Sequence, residues 1–236
     1  MGWIAYWDDK PTIYVNRRHR EAHYRAVADG IIAAIGGDRP VVLDFGCGEA
    51  LNAATVAGAC STLMLCDAAA SVRSGLERRH AGDGTIRVLA PEALSALPAG
   101  SIDLIVANSV IQYLSTEELD LTLDVWLRLL APDGRLLLAD VIPPATGPVT
   151  DAAALLAFGW REGFLPAAAT GLVRTFFSDY RKVRVALGLK QFDEAAMIGL
   201  LAAKGLTARR VRPNIGHNQA RMAFVAERRR DAQSFQ

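Results

Sequence analysis

The chain predicts an α/β fold, a doubly wound, mostly parallel seven-stranded sheet whose last strand runs antiparallel. Three observations lead there. Apolar strand-like runs recur with helical stretches between them over residues 41–141, an alternation that calls for a parallel sheet covered on both faces. The run Val41-Val42-Leu43-Asp44-Phe45-Gly46-Cys47-Gly48 passes from a strand into a glycine turn ahead of a helix, and ligands of open α/β sheets bind at such strand tips. After Val141 the alternation stops, and the chain closes with strand-like runs that have no helix between them, the pattern of an antiparallel hairpin.

Taken in order, a helix over Asn16–Ile35, ending at Gly36-Gly37, precedes the sheet. Strands are expected at Val41–Phe45, Thr62–Cys66, Thr85–Ala90, Ile102–Ala107 and Arg135–Val141, with helices at Ala50–Gly58, Ala69–His80 and Thr116–Leu130 between them. Ser115-Thr116-Glu117-Glu118 reads as a capping box, because the serine hydroxyl and a glutamate three residues on can satisfy each other's backbone amides. Ala131-Pro132-Asp133-Gly134 reads as a turn into the fifth strand. Pro143-Pro144-Ala145-Thr146-Gly147-Pro148 opens a mostly helical stretch, Asp193 caps a helix over Glu194–Lys204, and Leu206–Arg212 and Ala220–Glu227 are the closing strands. The expected organisation is one domain over residues 1–236, with an N-terminal helical lid at 1–37 and a helical cap insertion at 143–190.

Composition narrows the class. Hydrophobic residues make up 51% of 236, enough for a substantial core, and 26 basic against 25 acidic side chains give no global pull toward nucleic acid or an anionic membrane. The cysteines Cys47, Cys60 and Cys66 are odd in number and lack the CxxC spacing of a zinc site. The N-terminus shows no basic segment followed by an apolar one, and no apolar run reaches membrane-spanning length. The expectation is a cytoplasmic protein with reduced thiols and neither membrane nor nucleic-acid partners; a homodimer is compatible with it.

The glycine turn carries the chemistry. Asp44 puts negative charge beside the turn, where it would repel a pyrophosphate and attract an ammonium or sulfonium. A dinucleotide fingerprint would also need glycine at position 51, where this chain has Leu51. Asp67 stands at the next strand tip, where a carboxylate can accept both hydroxyls of a ribose or cap the helix that follows. Two further segments belong to the pattern: Leu97-Pro98-Ala99-Gly100-Ser101-Ile102-Asp103-Leu104-Ile105-Val106-Ala107-Asn108-Ser109, and Leu127-Arg128-Leu129-Leu130-Ala131-Pro132-Asp133-Gly134-Arg135-Leu136-Leu137-Leu138-Ala139-Asp140.

These four ordered segments resemble class I S-adenosylmethionine-dependent methyltransferases of the small-molecule type. The resemblance covers Val41–Val141 closely, the last strands loosely, and the N-terminus and the insertion hardly at all. It implies a Rossmann-like fold, S-adenosylmethionine as cofactor, and a site built from Asp44, Gly46, Cys47, Gly48, Asp67, Ala68, Glu92, Ala93, Asn108 and Ser109. Asp103 would be structural, holding the turn before its strand. The chain departs from the family at Ala50, a third small residue that is not glycine, and at Pro91, where an aspartate often meets the adenine amino group. Glu92 either takes over that contact or is an exposed acid at a helix start.

Methyl transfer from a sulfonium is an in-line displacement that alignment and desolvation can drive, and no catalytic triad is visible. A base is needed where the acceptor atom carries a proton. The candidates are His23 and Tyr14 in the N-terminal segment, beside Tyr24, with His217 near the final hairpin. His19 and His23 share a helix face, but Arg20 stands where a zinc motif needs glutamate, so no metal is expected. Trp3, Tyr6 and Trp7 form an aromatic lid or staple the N-terminal arm to the core. The insertion carries Phe158, Trp160, Phe164, Phe176, Phe177 and Tyr180, with Arg174, Arg181, Lys182 and Arg184 as a solvated face. The expected function is methylation of a small molecule. The alternatives are a nucleic-acid or protein methyltransferase and a non-catalytic binding module; Asn108-Ser109-Val110-Ile111 in place of N-P-P-Y counts against flipped bases.

Overall fold

The computed structural model describes residues 14–176 and 189–229. Helix α1 (Arg17–Ala34) leads into β1 (Val41–Phe45), α2 (Ala53–Ala57), β2 (Thr62–Cys66), α3 (Ala70–Arg79), β3 (Ile86–Leu89) and β4 (Ile102–Asn108). Then follow α4 (Thr116–Leu129), β5 (Leu130–Val141), α5 (Pro148–Glu162), α6 (Leu165–Phe176), α7 (Glu194–Ala203), β6 (Leu206–Val211) and β7 (Met222–Arg228). The strands form one seven-stranded sheet in the order β3-β2-β1-β4-β5-β7-β6. Neighbours from β3 to β5 pair in parallel, while β7 is antiparallel to both β5 and β6. Strand order reverses between β1 and β4, so the crevice that such a switch point creates opens at their carboxyl ends.

Alternate residues of each strand feed opposite faces. Leu43, Ile105, Leu136 and Phe224 meet Leu123 and Trp126 of α4 and Leu201 of α7 on one side. On the other, Val42, Leu63, Leu104 and Val106 meet Ile31 of α1, Val56 of α2 and Leu76 of α3. A third apolar cluster joins α1 to the α5–α6 hairpin through Ala22, Phe158, Phe164 and Ala168. An Arg25–Glu162 ion pair of 2.6 Å ties the same elements together at the surface.

Side-chain caps hold three helix starts, at Ser115 and Asp193 as expected and at Asn16 in addition. Asn16 Oδ1 accepts from His19 N–H at 2.8 Å, Ser115 and Glu118 form the complete capping box, and Asp193 Oδ1 accepts from Ala196 N–H at 2.7 Å. Three expectations are corrected. The helix after the glycine turn starts at Ala53 rather than Ala50, because Ala50 holds φ +39° and cannot begin a right-handed helix. Residues 131–134 belong to the long β5, whose register shifts against β4 between Ile102 and Leu104, rather than forming a separate turn. Asp103 is structural by another route, accepting the first amide of β1 (Val41 N–H, 2.8 Å). Trp3, Tyr6, Trp7, Phe177, Tyr180, Arg181, Lys182 and Arg184 lie outside the described residues, as do the side chains of Arg174 and Phe176.

Candidate functional site

Five residues with positive φ gather at the tips of β1, β4 and β5: Gly46 (72°), Gly48 (57°), Ala50 (39°), Ser109 (60°) and Asp140 (57°). Backbone held in this region by non-glycine residues is costly and concentrates where a fold builds a site. The two glycines are required for space as well. A Cβ on Gly46 would collide with the Val110 side chain, and one on Gly48 would stand 2.8 Å from the Tyr24 hydroxyl.

Every amide of the glycine turn is already taken. Gly46 N–H and Cys47 N–H donate to Cys66 O at 2.7 and 3.2 Å. Gly48 N–H donates to Asp67 Oδ2 at 2.9 Å, and Glu49 N–H donates to the Tyr24 hydroxyl at 2.9 Å. A phosphate-binding turn needs such amides free; this one offers carboxylates instead.

Asp44, near the end of β1, is 6% exposed and accepts no hydrogen bond among the described residues. Apolar groups of Ala28, Val56, Leu63 and Leu65 share with it a cavity of about 20 Å³. Burial first, and the neighbouring charge of Asp67 second, push its carboxyl up to about 7. An uncompensated buried carboxylate calls for a cation. Asn108 Oδ1, at the tip of β4, is likewise buried without a partner. Asp67, half-buried, bridges two loops, since its other oxygen accepts from Ala69 N–H at 2.9 Å. Burial raises this carboxyl, and the Ala69 and Gly48 amides and Arg73 pull it back. Asp67 thus ties the glycine turn to the loop before α3 rather than capping the helix itself, and each of its oxygens keeps a second lone pair.

The remaining expected residues lie around this rim. Cys47 is buried and its thiol is pushed far up, first by burial and then by Asp44, which makes it inert rather than nucleophilic. Ala68 is half-buried at the tip of β2, and its carbonyl accepts from Arg73 at 2.7 Å. Glu92 and Ala93 are exposed in a short 3-10 turn, Pro91–Ala96, at the tip of β3. Ser109 Oγ donates to Asp140 Oδ2 at 2.6 Å.

Above the rim, α1 delivers aromatic and imidazole groups. Tyr14 packs on His19, His23 and Tyr24 at ring-centre distances of 5.3, 5.4 and 5.8 Å. His19 stacks on Phe164 at 4.9 Å and His217 on Phe158 at 4.8 Å. Burial lowers His23 to about 3 and His19 to about 4, with His217 adding to both shifts, so these rings are neutral at pH 7. Burial also drives the Tyr14 phenol up, which leaves it a hydrogen-bond donor rather than a base.

Sequence reasoning did not single out Asp140 or Asn214, whose Oδ1 accepts from Asp140 N–H at 2.9 Å. The signal for Asp140 was present: like Asp67, it is an acid ending an apolar strand. An open cleft of about 530 Å³ lined by Arg17, Arg20, Glu21 and Arg25 lies outside the rim. Its arginines pair with Glu21, Glu49 and Glu162, so it offers little net charge to a ligand.

Residues 43–138 match the family model described as a methyltransferase domain. No curated protein matches the chain by sequence. Among solved structures, the chain is similar to a Methanococcus maripaludis protein assigned to the S-adenosyl-L-methionine-dependent methyltransferases, with a TM-score of 0.64 at 12% identity over 97% of this chain and 94% of that one. It is also similar to the Synechocystis magnesium protoporphyrin IX methyltransferase with bound SAH, with a TM-score of 0.57 at 18% identity over 96% and 93%. A third is the DhpI–SAH complex, with a TM-score of 0.60 at 12% identity over 95% and 94%. At these identities the likeness is one of fold.

Proposed function

We propose that this chain is a class I S-adenosylmethionine-dependent methyltransferase and that it methylates a small-molecule acceptor. One observation carries the choice of cofactor: the buried, unbonded carboxylate of Asp44 beside a glycine turn with no free amides. Such a turn suits a cationic nucleoside and repels a pyrophosphate. When bound, that cofactor supplies a methyl group on positively charged sulfur, open to in-line displacement.

Each residue then has a definable task. Asp44 compensates the cation, Gly46, Cys47 and Gly48 give it close backbone approach, and Asn108 Oδ1 accepts from its amino group. Asp67 and Ala68 border the ribose, Glu92 and Ala93 border the adenine, and Ser109 faces the reacting centre. Tyr14 and His23 line the acceptor side, where α1 acts as the lid and the α5–α6 hairpin as the cap within a single domain. Small-molecule acceptors are supported by that aromatic, uncharged cover of Phe158, Phe164 and neutral imidazoles. By its name the Synechocystis neighbour also acts on a small molecule. A cytoplasmic setting, a homodimer and the lack of a nucleic-acid partner belong to the same proposal.

Titration calorimetry with S-adenosylmethionine, S-adenosylhomocysteine and NAD tests the reading. The first two should bind and NAD should not, and Asp67→Ala should weaken binding by roughly 1–3 kcal/mol from lost charged hydrogen bonds. Binding of NAD in place of the sulfonium compound would overturn the cofactor choice.

A further inference from the structure

Ser109 and Asp140 face each other one residue beyond the Asn108–Ala139 pair that ends the parallel register of β4 and β5. Both are non-glycine residues in the left-handed region, at φ +60° and +57°. Each is held there through its own amide: Ser109 N–H donates to the backbone Ala139 O at 3.1 Å, and Asp140 N–H donates to the side-chain Oδ1 of Asn214 at 2.9 Å. The effect of the two turns is to bring the hydroxyl of Ser109 to 2.6 Å from the carboxylate of Asp140. Asp140 makes no ion pair among the described residues. Arg221 is already committed to Asp151 at 2.7 Å and acts on Asp140 only through space. Burial, opposed by Arg221, Ser109 and Asn214, leaves the Asp140 carboxyl above its ordinary range, yet the residue stays partly exposed at the rim.

We infer that Asp140, oriented by Ser109, is the acceptor-side carboxylate of the methyl-transfer site, and that the acceptor's nucleophilic atom is a proton-bearing oxygen or nitrogen. The inference rests on the methyltransferase reading above and narrows its substrate class. A hydroxyl or a neutral amine N–H would donate to Asp140 and so be aimed, lone pair foremost, at the reacting carbon. As the acceptor's lone pair forms its bond to the methyl carbon, the carbon–sulfur bond breaks with its electrons going to sulfur. The acceptor's proton passes to Asp140 and then to solvent. A carboxyl raised above its usual range is a stronger base for that step than an exposed one. Thioether acceptors, which carry no proton on the nucleophilic atom, fall outside the class.

The test needs no acceptor. Sinefungin carries a primary amine where the cofactor carries its sulfonium methyl, whereas S-adenosylhomocysteine carries nothing there. Calorimetry at pH 8 should show sinefungin binding roughly ten- to a hundred-fold tighter than S-adenosylhomocysteine, as a charged hydrogen bond gives. Asp140→Asn should erase that ratio while leaving S-adenosylhomocysteine affinity within about twofold, and Ser109→Ala should reduce it in part. In the wild type the ratio should shrink as pH falls and Asp140 protonates, a readout that stands if the Asp140 variant does not fold. Effects on Asp44 cancel because both ligands share the same amino-acid end. A ratio near one in the wild type, or an unchanged ratio in Asp140→Asn, would refute the assignment. Failure of the wild type to bind either ligand would instead overturn the cofactor reading beneath it.

Discussion

Replacing Asp44 with asparagine should move cofactor-free stability and cofactor affinity in opposite directions. Its carboxyl rises from 3.8 to about 7 on folding, chiefly through burial among apolar groups and then through Asp67. A group whose pKa is higher in the folded state binds protons more tightly there. Its stabilising effect is therefore present at low pH and lost as pH rises from the unfolded value through the folded one. At 1.36 kcal/mol per unit, the ionised carboxylate costs the cofactor-free protein about 4 kcal/mol by pH 8. A neutral asparagine of the same shape escapes that cost, so the variant should melt several degrees higher at pH 8 and gain little at pH 5. Binding a cation reverses the balance. At pH 6 the wild type must first lose a proton, which weakens binding by about 1.4 kcal/mol, or tenfold, relative to pH 8. Calorimetry with S-adenosylhomocysteine from pH 6 to 8, in buffers of different ionisation enthalpy, should show the loss of affinity and a proton released on binding. Asp44→Asn should bind more weakly at pH 8 and show neither effect. A wild type with pH-independent affinity and no proton release would refute the argument, as would a variant that melts lower at pH 8.

The buried imidazoles set an acid limit of the opposite sign. His19 and His23 are lowered to about 4 and about 3, mainly by burial, so their contribution is complete above the unfolded value near 6.5 and is lost as pH falls toward 4. Urea denaturation of Asp44→Asn, which removes the opposing titration of that carboxyl, should show a loss of a few kcal/mol between pH 7 and pH 5, and adding His19→Gln should reduce it; equal stability of Asp44→Asn at both values would contradict a neutral histidine cluster. Gly48→Ala should strain the turn at φ +57° and press against the Tyr24 hydroxyl at 2.8 Å, costing about 1–3 kcal/mol in thermal melts and weakening cofactor binding. Tyr24→Phe added to Gly48→Ala should recover part of the lost affinity, since the clash is with the hydroxyl that phenylalanine lacks.

The amino-acid sequence by itself determined the sheet, most of its helices and the carboxylate-bearing glycine turn. These depend on information local to each segment. Apolar runs such as Val41–Phe45 and Thr62–Cys66 can only be buried strands, and Ser115 with Glu118 can satisfy each other within one helical turn. The same locality misplaced the start of the short helix at Ala53, where the left-handed Ala50 is imposed by the packing around the turn. Only the tertiary structure decided that Tyr24, 25 positions earlier, closes over the glycine turn through Glu49 N–H. It alone brought Ser109 to Asp140 across 31 positions, and gathered His19, Phe158 and His217 from three separate elements. A strand's register fixes which tips are neighbours, and burial fixes which of their charges lack a partner. Both quantities come into being only when distant segments pack, so no window of sequence contains them.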